Sequence, residues 1–565
     1  MKETILKYVL KNAYDFNGSV NDKVVLGMVL REKPELKAKV PEVLKGIQAA
    51  VKDISKLSKE ELKKKLDKLA PELLQEKKEE KIEGPLRPLP NAEMGNVVVR
   101  IAPSPSGLLH IGHTYGTSLN YEYAKMYKGK FLARIEDTDP ENIYPPAYEL
   151  IPDDAQWLTS NGVSEIIIQS SRLGIYYDYA DKLVNMGKAY VCTCDADKWR
   201  EMKKLGESCP CRELSVREQQ LRYAKMFNEY AEGEAVLRLK TNITDPNPAM
   251  RDFALMRIIE HIHPKTGKAQ RVWPLMVLSV AIDDHEMGIT HVLNGKEHAD
   301  NGAKERLIMD CFGWKHPTYK HWGRINFEGF SVSKSKTKLA IEEGKYTGWD
   351  DIRLPFLRAL RRRGYQPGAF RKFALEIGLS LTDKTVSMEE FWKNINSFNR
   401  EIIEPNANRY FFVDEPKKVK IEKAPAKTVE IDLHPEYPQK GKRKISASAE
   451  VYLVKADVEK LEEGKLHRLM DYCNFITHNG KFIFDSEEYE EYKNSPNRGM
   501  ILHWVPVKEN LAAEVMMEDA KIITGYGEKS MERLKVGDIV QLERKFYARV
   551  DKKEKDKIVF WYLHK

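Results

Sequence analysis

The chain has 565 residues, and at roughly 100 to 200 residues per domain it should hold about three to five domains. Lys and Arg number 93 against 85 Asp and Glu, a net charge of +8, with 42% hydrophobic and 32% charged residues, which excludes both a disordered chain and a histone-like bulk cation. The pI near 8.8 favours a polyanionic partner met through a local, shaped surface.

The longest charge-free apolar run, Val272 to Ile282, spans eleven residues against the roughly 18 to 20 of a membrane helix, so no membrane span is expected. The N-terminal Met1 to Lys7 carries charge inside any would-be apolar core and shows no small-residue cleavage site, which predicts a cytoplasmic protein. Six cysteines are too few for a disulfide scaffold, and four of them fall within twenty positions, which points to a metal.

Along the chain, Leu57, Leu62, Leu66, Leu69 and Leu73 recur at helical spacing between dense Lys and Glu, so residues 1–83 read as a helical domain. Three prolines between Pro85 and Pro90 predict an extended linker over 84–95. From Asn96 short β-branched runs alternate with amphipathic helices. Val97 to Ile101, Phe131 to Ile135, Glu165 to Gln169 and Ile289 to Leu293 read as strands of an interrupted parallel sheet, with a helix from about His113 to Tyr127. Helical periodicity returns over 345–405, and the remaining 406–565 alternate as strands (Thr428 to Leu433, Glu450 to Val454, Asp538 to Leu542), which predicts one or two β-barrels.

Chemistry concentrates in three segments. Arg100 to His113 runs from a strand through a Pro/Gly loop (Ser104, Gly107) into a helix start, where free backbone N–H groups and a helix dipole can receive phosphate. His110 and His113 add imidazole donors there, and Gly112 lets a nucleotide approach. Far downstream, Ser333-Lys334-Ser335 offers a loop lysine that can follow charge developing on a transferring phosphate. Cys192-Thr193-Cys194 and Cys209-Pro210-Cys211 form a Cys-x-Cys, fourteen-residue spacer, Cys-x-Cys array, suited to a closed, structural, tetrahedral Zn²⁺ site.

With His110-Ile111-Gly112-His113 and the Ser-Lys-Ser loop in hand, the chain resembles class I aminoacyl-tRNA synthetases, and within them the archaeal type of glutamyl-tRNA synthetase. Leu132 to Pro140 (Leu-Ala-Arg-Ile-Glu-Asp-Thr-Asp-Pro) and Asp283 to Leu293 support that resemblance, and glutaminyl relatives typically read Phe-Asp-Asp-Thr-Asn-Pro where this chain has Ile135 to Pro140. The resemblance is dense from about 96 to 410 and weaker in the helical head and β-rich tail. It implies ATP-dependent ligation of L-glutamate to tRNA(Glu) through glutamyl-adenylate, with tRNA(Gln) as a second candidate acceptor and Mg²⁺ on the leaving pyrophosphate.

The resemblance further implies that His110, Gly112, His113, Ser333 and Lys334 handle ATP, that Arg100 grips the glutamate side-chain carboxylate, that Glu136 accepts from the substrate ammonium, and that Ser104 supplies a hydroxyl. A structural ion pair between Arg100 and Glu136 is the competing reading of those two residues. Relatives commonly have an aromatic or polar residue near Val277 and an arginine in place of Asn294; no site role is carried over to Asn294. Arg358, Arg361, Arg362 and Arg363, four guanidinium groups within six residues, suit phosphates of a tRNA stem.

The expected fold class is multidomain, α/β plus all-β. A helical N-terminal domain (1–83) and linker (84–95) lead into a Rossmann-type nucleotide-binding core in two halves (96–190 and 256–344). A zinc-bearing, acceptor-end-binding insertion (191–255) splits that core, and a helical stem-contact region (345–405) and an anticodon-binding β-barrel region (406–565) follow. Two rivals remain: a glutaminyl enzyme, opposed by Arg100 with Ile135-Glu136, and a catalytically silent tRNA-binding paralogue, opposed by the presence of His110, His113 and Lys334.

Overall fold

The computed structural model describes residues 1–16, 18–73, 86–328 and 334–565; Ser333, the first two linker residues and the Lys/Glu-rich 74–83 lie outside it. The chain divides into two compact units, Met1–Glu83 and Gly84–Lys565. The first is a helical bundle of α1 (Lys2–Asp15), α2 (Asp22–Glu32), α3 (Val40–Ile54) and α4 (Lys59–Leu69). Ser58 and Glu61 close a reciprocal cap at the start of α4, and Leu62 and Leu66, one turn apart, join Val9, Val25, Val43 and Ile47 in its core.

In the second unit, β1 (Val98–Ile101), β2 (Lys130–Ile135) and β3 (Glu165–Ile168) form a parallel sheet in that order, linked by α5 (Ile111–Met126) and α6 (Ala147–Leu158). All of β2 after Lys130 is buried, as a strand covered on both faces requires. Residues 86–95 do not form a free linker: Leu86 and Leu89 are buried, the Leu89 N–H donates to the Tyr127 hydroxyl, and the Arg87 and Pro90 carbonyls bond Tyr123 and His291.

After β3, α7 (Leu173–Asn185) leads to an antiparallel sheet of β4 (Ala189–Cys192), β5 (Val236–Leu239), β6 (Ala254–Ile258) and β7 (Val272–Pro274), with α8 (Ala196–Leu205) and α9 (Val216–Met226) between β4 and β5. This sheet runs past residue 255, where the sequence reading closed the insertion, because β6 is an apolar run whose pairing direction periodicity cannot reveal. The chain then re-enters the core through α10 (Met276–Glu286), β8 (His291–Gly295), α11 (Ala299–Phe312) and β9 (Thr318–Trp322), with β8 and β9 parallel. The two halves meet where the Thr290 N–H donates to the Val98 carbonyl.

The halves are also joined through charge. Asp284 of α10 accepts two bonds from Arg100 of β1 (3.0 and 2.8 Å) and one from Arg134 of β2 (2.7 Å). Its neighbour Asp283 accepts from Arg172, Gln169 and Tyr176.

Three further helices, α12 (Lys334–Glu342), α13 (Leu357–Arg363) and α14 (Pro367–Ile377), precede α15 (Met388–Ile403) and the β-rich tail. The tail contains two seven-stranded sheets. In one, the edge strands Asn408–Tyr410 and Phe412–Asp414 are consecutive in the chain, separated only by Phe411; in the other, the edges Arg498–Leu502 and Val505–Pro506 flank only His503 and Trp504. Edges that are chain neighbours force each sheet to curl on itself, so both are nearly closed β-barrels. Fully buried Trp504 fills the second, its indole N–H donating to the Met470 carbonyl.

All four arginines of α13 have partners within the chain, and Arg361 and Arg362 stay partly exposed. Arg358 pairs with Asp153 and Asp154, Arg361 with Asp153, and Arg362 with Asp350 and Asp551. Arg363 is buried and donates to the Tyr562 and Leu563 carbonyls. They clasp α13 to α6 on one side and to the C-terminal strands on the other. Aspartates distant in sequence gave no signal of this.

Removing one partner of a buried ion cluster strands the other charges, so Asp284→Asn should cost about 3–5 kcal/mol; an unchanged midpoint in denaturant unfolding would contradict this. Burial pushes the Asp154 carboxyl up to about 7, against the opposing charge of Arg358. A raised folded-state value means stability that is full below the unfolded pKa of about 4 and declines as pH rises through about 7. Asp154→Asn should therefore flatten the fall in thermal stability across that window, and a slope unchanged from the wild type would count against it.

Candidate active site

A cavity of about 600 Å³ opens at the C-terminal ends of β1, β2 and β8, where a parallel α/β sheet leaves its crevice. Arg100, Ser104, Gly112, His113, Glu136 and Lys334 all line it. His110 stands beside it, its ring 4.0 Å from that of His113.

The two histidines start α5 and hold its first turn. The Gly112 N–H donates to His110 Nδ1 and the His110 N–H to His113 Nδ1, both at 3.1 Å. With both Nδ1 atoms accepting, each neutral ring keeps its proton on Nε2 and is a hydrogen-bond donor there. Burial and the Lys334 charge push His110 down to about 4, and burial with the adjoining His110 and Lys334 holds His113 well below the ordinary range. Two glycines make room for this packing. A side chain at Gly112 would meet the His110 ring at 2.8 Å, and one at Gly107 would meet the Lys334 side chain at 2.9 Å. Lys334, the first residue of α12, is half-buried, and burial lowers its pKa.

Arg100 does not pair with Glu136. Its Nε and Nη2 hold Asp284, which leaves two N–H groups on Nη1 and one on Nη2 as an outward edge able to take a carboxylate in two bonds. Burial opposes the charge on Asp284, but Arg100 and Arg134 outweigh it and hold that carboxyl below the usual range. Glu136 accepts from Arg134 at 3.3 Å, and burial raises its pKa against the pull of Arg134 and Arg100.

Glu305 and Trp322 also enter the cavity, and the sequence did not single them out. Glu305 of α11 accepts from the Tyr319 hydroxyl at 3.0 Å, and burial followed by the Asp284 charge pushes it up to about 7. Trp322, at the end of β9, stands edge-on to Tyr115 and against Gly116. Asn294 lines the wall, its Oδ1 accepting from His321 Nδ1 at 2.6 Å, while Val277 is buried and Lys296 pairs with Asp383. A glutamate amid α11 carries no sequence mark of burial.

The four clustered cysteines converge in the insertion. Cys192 and Cys209 sulfurs are 3.9 Å apart, Cys194 and Cys211 3.7 Å, and all four lie within 4.8 Å of one another. Tetrahedral thiolates at about 2.3 Å from zinc stand about 3.8 Å apart, so the residues fit such an ion. Arg222 donates to the Cys211 sulfur at 3.4 Å, Tyr190 lies 3.7 Å from Cys209, and Trp199 packs alongside.

Comparison with known proteins agrees with this arrangement. The family described as tRNA synthetases class I (E and Q), catalytic domain, matches residues 96–405, and the anticodon-binding domains of the same group match 407–493 and 501–551. The chain is 46% identical to the glutamate–tRNA ligase of Thermococcus kodakarensis, 45% to that of Pyrococcus furiosus and 44% to that of Methanothermobacter marburgensis, covering 100% of this chain and of each relative. More than half of the chain matches one catalytic family, its tail matches that family's companion domains, and relatives align end to end; the chain belongs to the class I tRNA synthetases of the E and Q group.

Proposed function

We propose that the protein is a glutamate–tRNA ligase, joining L-glutamate to tRNA(Glu) with ATP, and that tRNA(Gln) is a second candidate acceptor. The observation that carries the reading is the meeting, in one cavity, of an anchored guanidinium, the neutral imidazole donor of His113 and a lysine, with His110 packed directly against His113.

In this reading the outward edge of Arg100 takes the side-chain carboxylate of glutamate, Glu136 accepts from the ammonium, and Ser104 adds a hydroxyl. The glutamate α-carboxylate attacks the α-phosphorus of ATP and pyrophosphate leaves; a terminal ribose hydroxyl of the tRNA then attacks the activated carbonyl and AMP leaves. Nε2–H of His110 and His113 donate to phosphate oxygens, and Lys334 balances negative charge building on the transferring group, with Ser333 beside it in the chain. Fixed donors of this kind stabilise the transition state without reorganising. A Mg²⁺ accompanying ATP would offset negative charge on the leaving pyrophosphate. Arg100 favours glutamate over glutamine by a charge-assisted bond, about 1.5–3 kcal/mol or ten- to 150-fold.

The division of labour we propose places the acceptor end at the cysteine-bearing insertion and the anticodon at the tail barrels. Cys192, Cys194, Cys209 and Cys211 hold a structural zinc that ties two turns together where there is little apolar core. Of the α13 arginines, Arg361 keeps the most exposed guanidinium, and any contact to a tRNA stem falls first to it.

The reading is tested by aminoacylation with labelled glutamate or glutamine on purified tRNA(Glu) and tRNA(Gln); transfer of glutamine, or of neither amino acid, would overturn it. In the same assay Arg100→Lys, which keeps the charge but loses the planar fork, should raise the glutamate KM about ten- to 150-fold and leave the ATP KM within about twofold. Elemental analysis should find one zinc per chain, and Cys209→Ser should lose it and speed amide exchange across 189–274; a metal-free, fully protected wild type would refute the zinc site.

A further inference from the structure

We propose that His263, which does not line the cavity, is a positioning residue through which the β6–β7 hairpin of the insertion sets Glu136. His263 is fully buried in the turn between β6 and β7, and this turn reaches the loop that follows β2. Its Nδ1 accepts from the backbone N–H groups of Lys265 and Thr266 (3.1 and 3.2 Å), and its backbone exchanges two hydrogen bonds with Gly267. With Nδ1 occupied by donors, the ring proton sits on Nε2, which donates to the Asp137 carbonyl at 3.0 Å and lies 3.5 Å from Asp137 Oδ2. Trp273 of β7 stacks on the ring at 4.9 Å between centroids and fixes its plane.

Asp137 is the other half of the clamp. Its Oδ1 accepts from the Ser170 N–H and its Oδ2 from the Tyr148 hydroxyl, each at 2.7 Å. Burial would push its carboxyl up, but the bonds from His263, Ser170 and Tyr148 prevail and hold it below the usual range. A buried, hydrogen-bonded carboxylate with its own carbonyl also tied has no freedom to rotate, and the preceding residue in the chain is Glu136. The Glu136 N–H is bonded in turn to the Pro103 carbonyl at 3.1 Å, next to Ser104. The side chain proposed to meet the substrate ammonium is therefore held on one side by the β1 loop and on the other by a hairpin from the insertion. Arg257 of β6, paired with Asp139 and Glu141, adds a second, exposed grip on the same loop.

The inference rests on the proposed role of Glu136, so the test separates the two. Wild-type, His263→Gln, His263→Asn and Tyr148→Phe proteins are compared by thermal melting and by the KM for glutamate, the KM for ATP and kcat in aminoacylation of tRNA(Glu). Gln keeps an N–H where Nε2 stood; Asn keeps only an acceptor where Nδ1 stood. The expected result is a glutamate KM raised at least about fivefold in His263→Asn and about two- to threefold in Tyr148→Phe, restored to within about twofold of wild type in His263→Gln, with the ATP KM unchanged throughout (1.4 kcal/mol being tenfold). A glutamate KM unchanged in folded His263→Asn and Tyr148→Phe overturns the inference while leaving the ligase reading intact. An equal loss in Gln and Asn, or a fall in kcat with all KM values constant, also overturns it. A wild type that charges no glutamate brings down the reading of Glu136 instead.

Discussion

The charged side of the active site depends on a pair of adjacent buried carboxylates. Asp283 and Asp284 lie on α10, beyond the insertion, and neighbours on a helix point about 100° apart, so they reach in different directions. Asp284 turns to Arg100 and Arg134 on the two central strands; Asp283 turns to Arg172, Gln169 and Tyr176 at the start of α7. Buried charges are tolerable only when paired and hydrogen-bonded, so each arginine can occupy the interior only if the second half of the core has docked. The binding edge of Arg100 is therefore completed by a residue 184 positions away.

The same arrangement gives Arg100 its chemistry. A guanidinium bonded through Nε and Nη2 is oriented and kept charged, while its outer edge faces the cavity. The neighbouring imidazoles need the opposite condition, and burial with a nearby lysine provides it by keeping them neutral. A fixed cation and neutral hydrogen-bond donors thus stand close together, each set by what packs behind it.

Where the sequence was read correctly, it was through short-range patterns. Strand-length β-branched runs located the parallel core, and alternation after residue 406 announced β-barrels, since a period of two survives whatever the partner strand is. The Cys-x-Cys pairs come together because each turn already presents two sulfurs on one side. His110 and His113, three apart at a helix start, could be foreseen as neighbours from helix geometry alone.

Long-range pairing was beyond reach. The arginine run of α13 reads as a cationic face, yet its partners Asp153, Asp350 and Asp551 are spread over about 400 positions, and nothing local marks them. Glu305 and His263 carry no sequence signature, because burial is a property of what other segments bring. By itself, the sequence determined the order of helical, α/β and β-rich regions, the convergence of the four clustered cysteines and the histidine-bearing helix start, all of which follow from spacing within a few residues. Only the tertiary structure decided which charges meet, which edge of Arg100 stays open and which hairpin bonds Asp137, because buried electrostatics are settled by contacts between residues far apart in the chain.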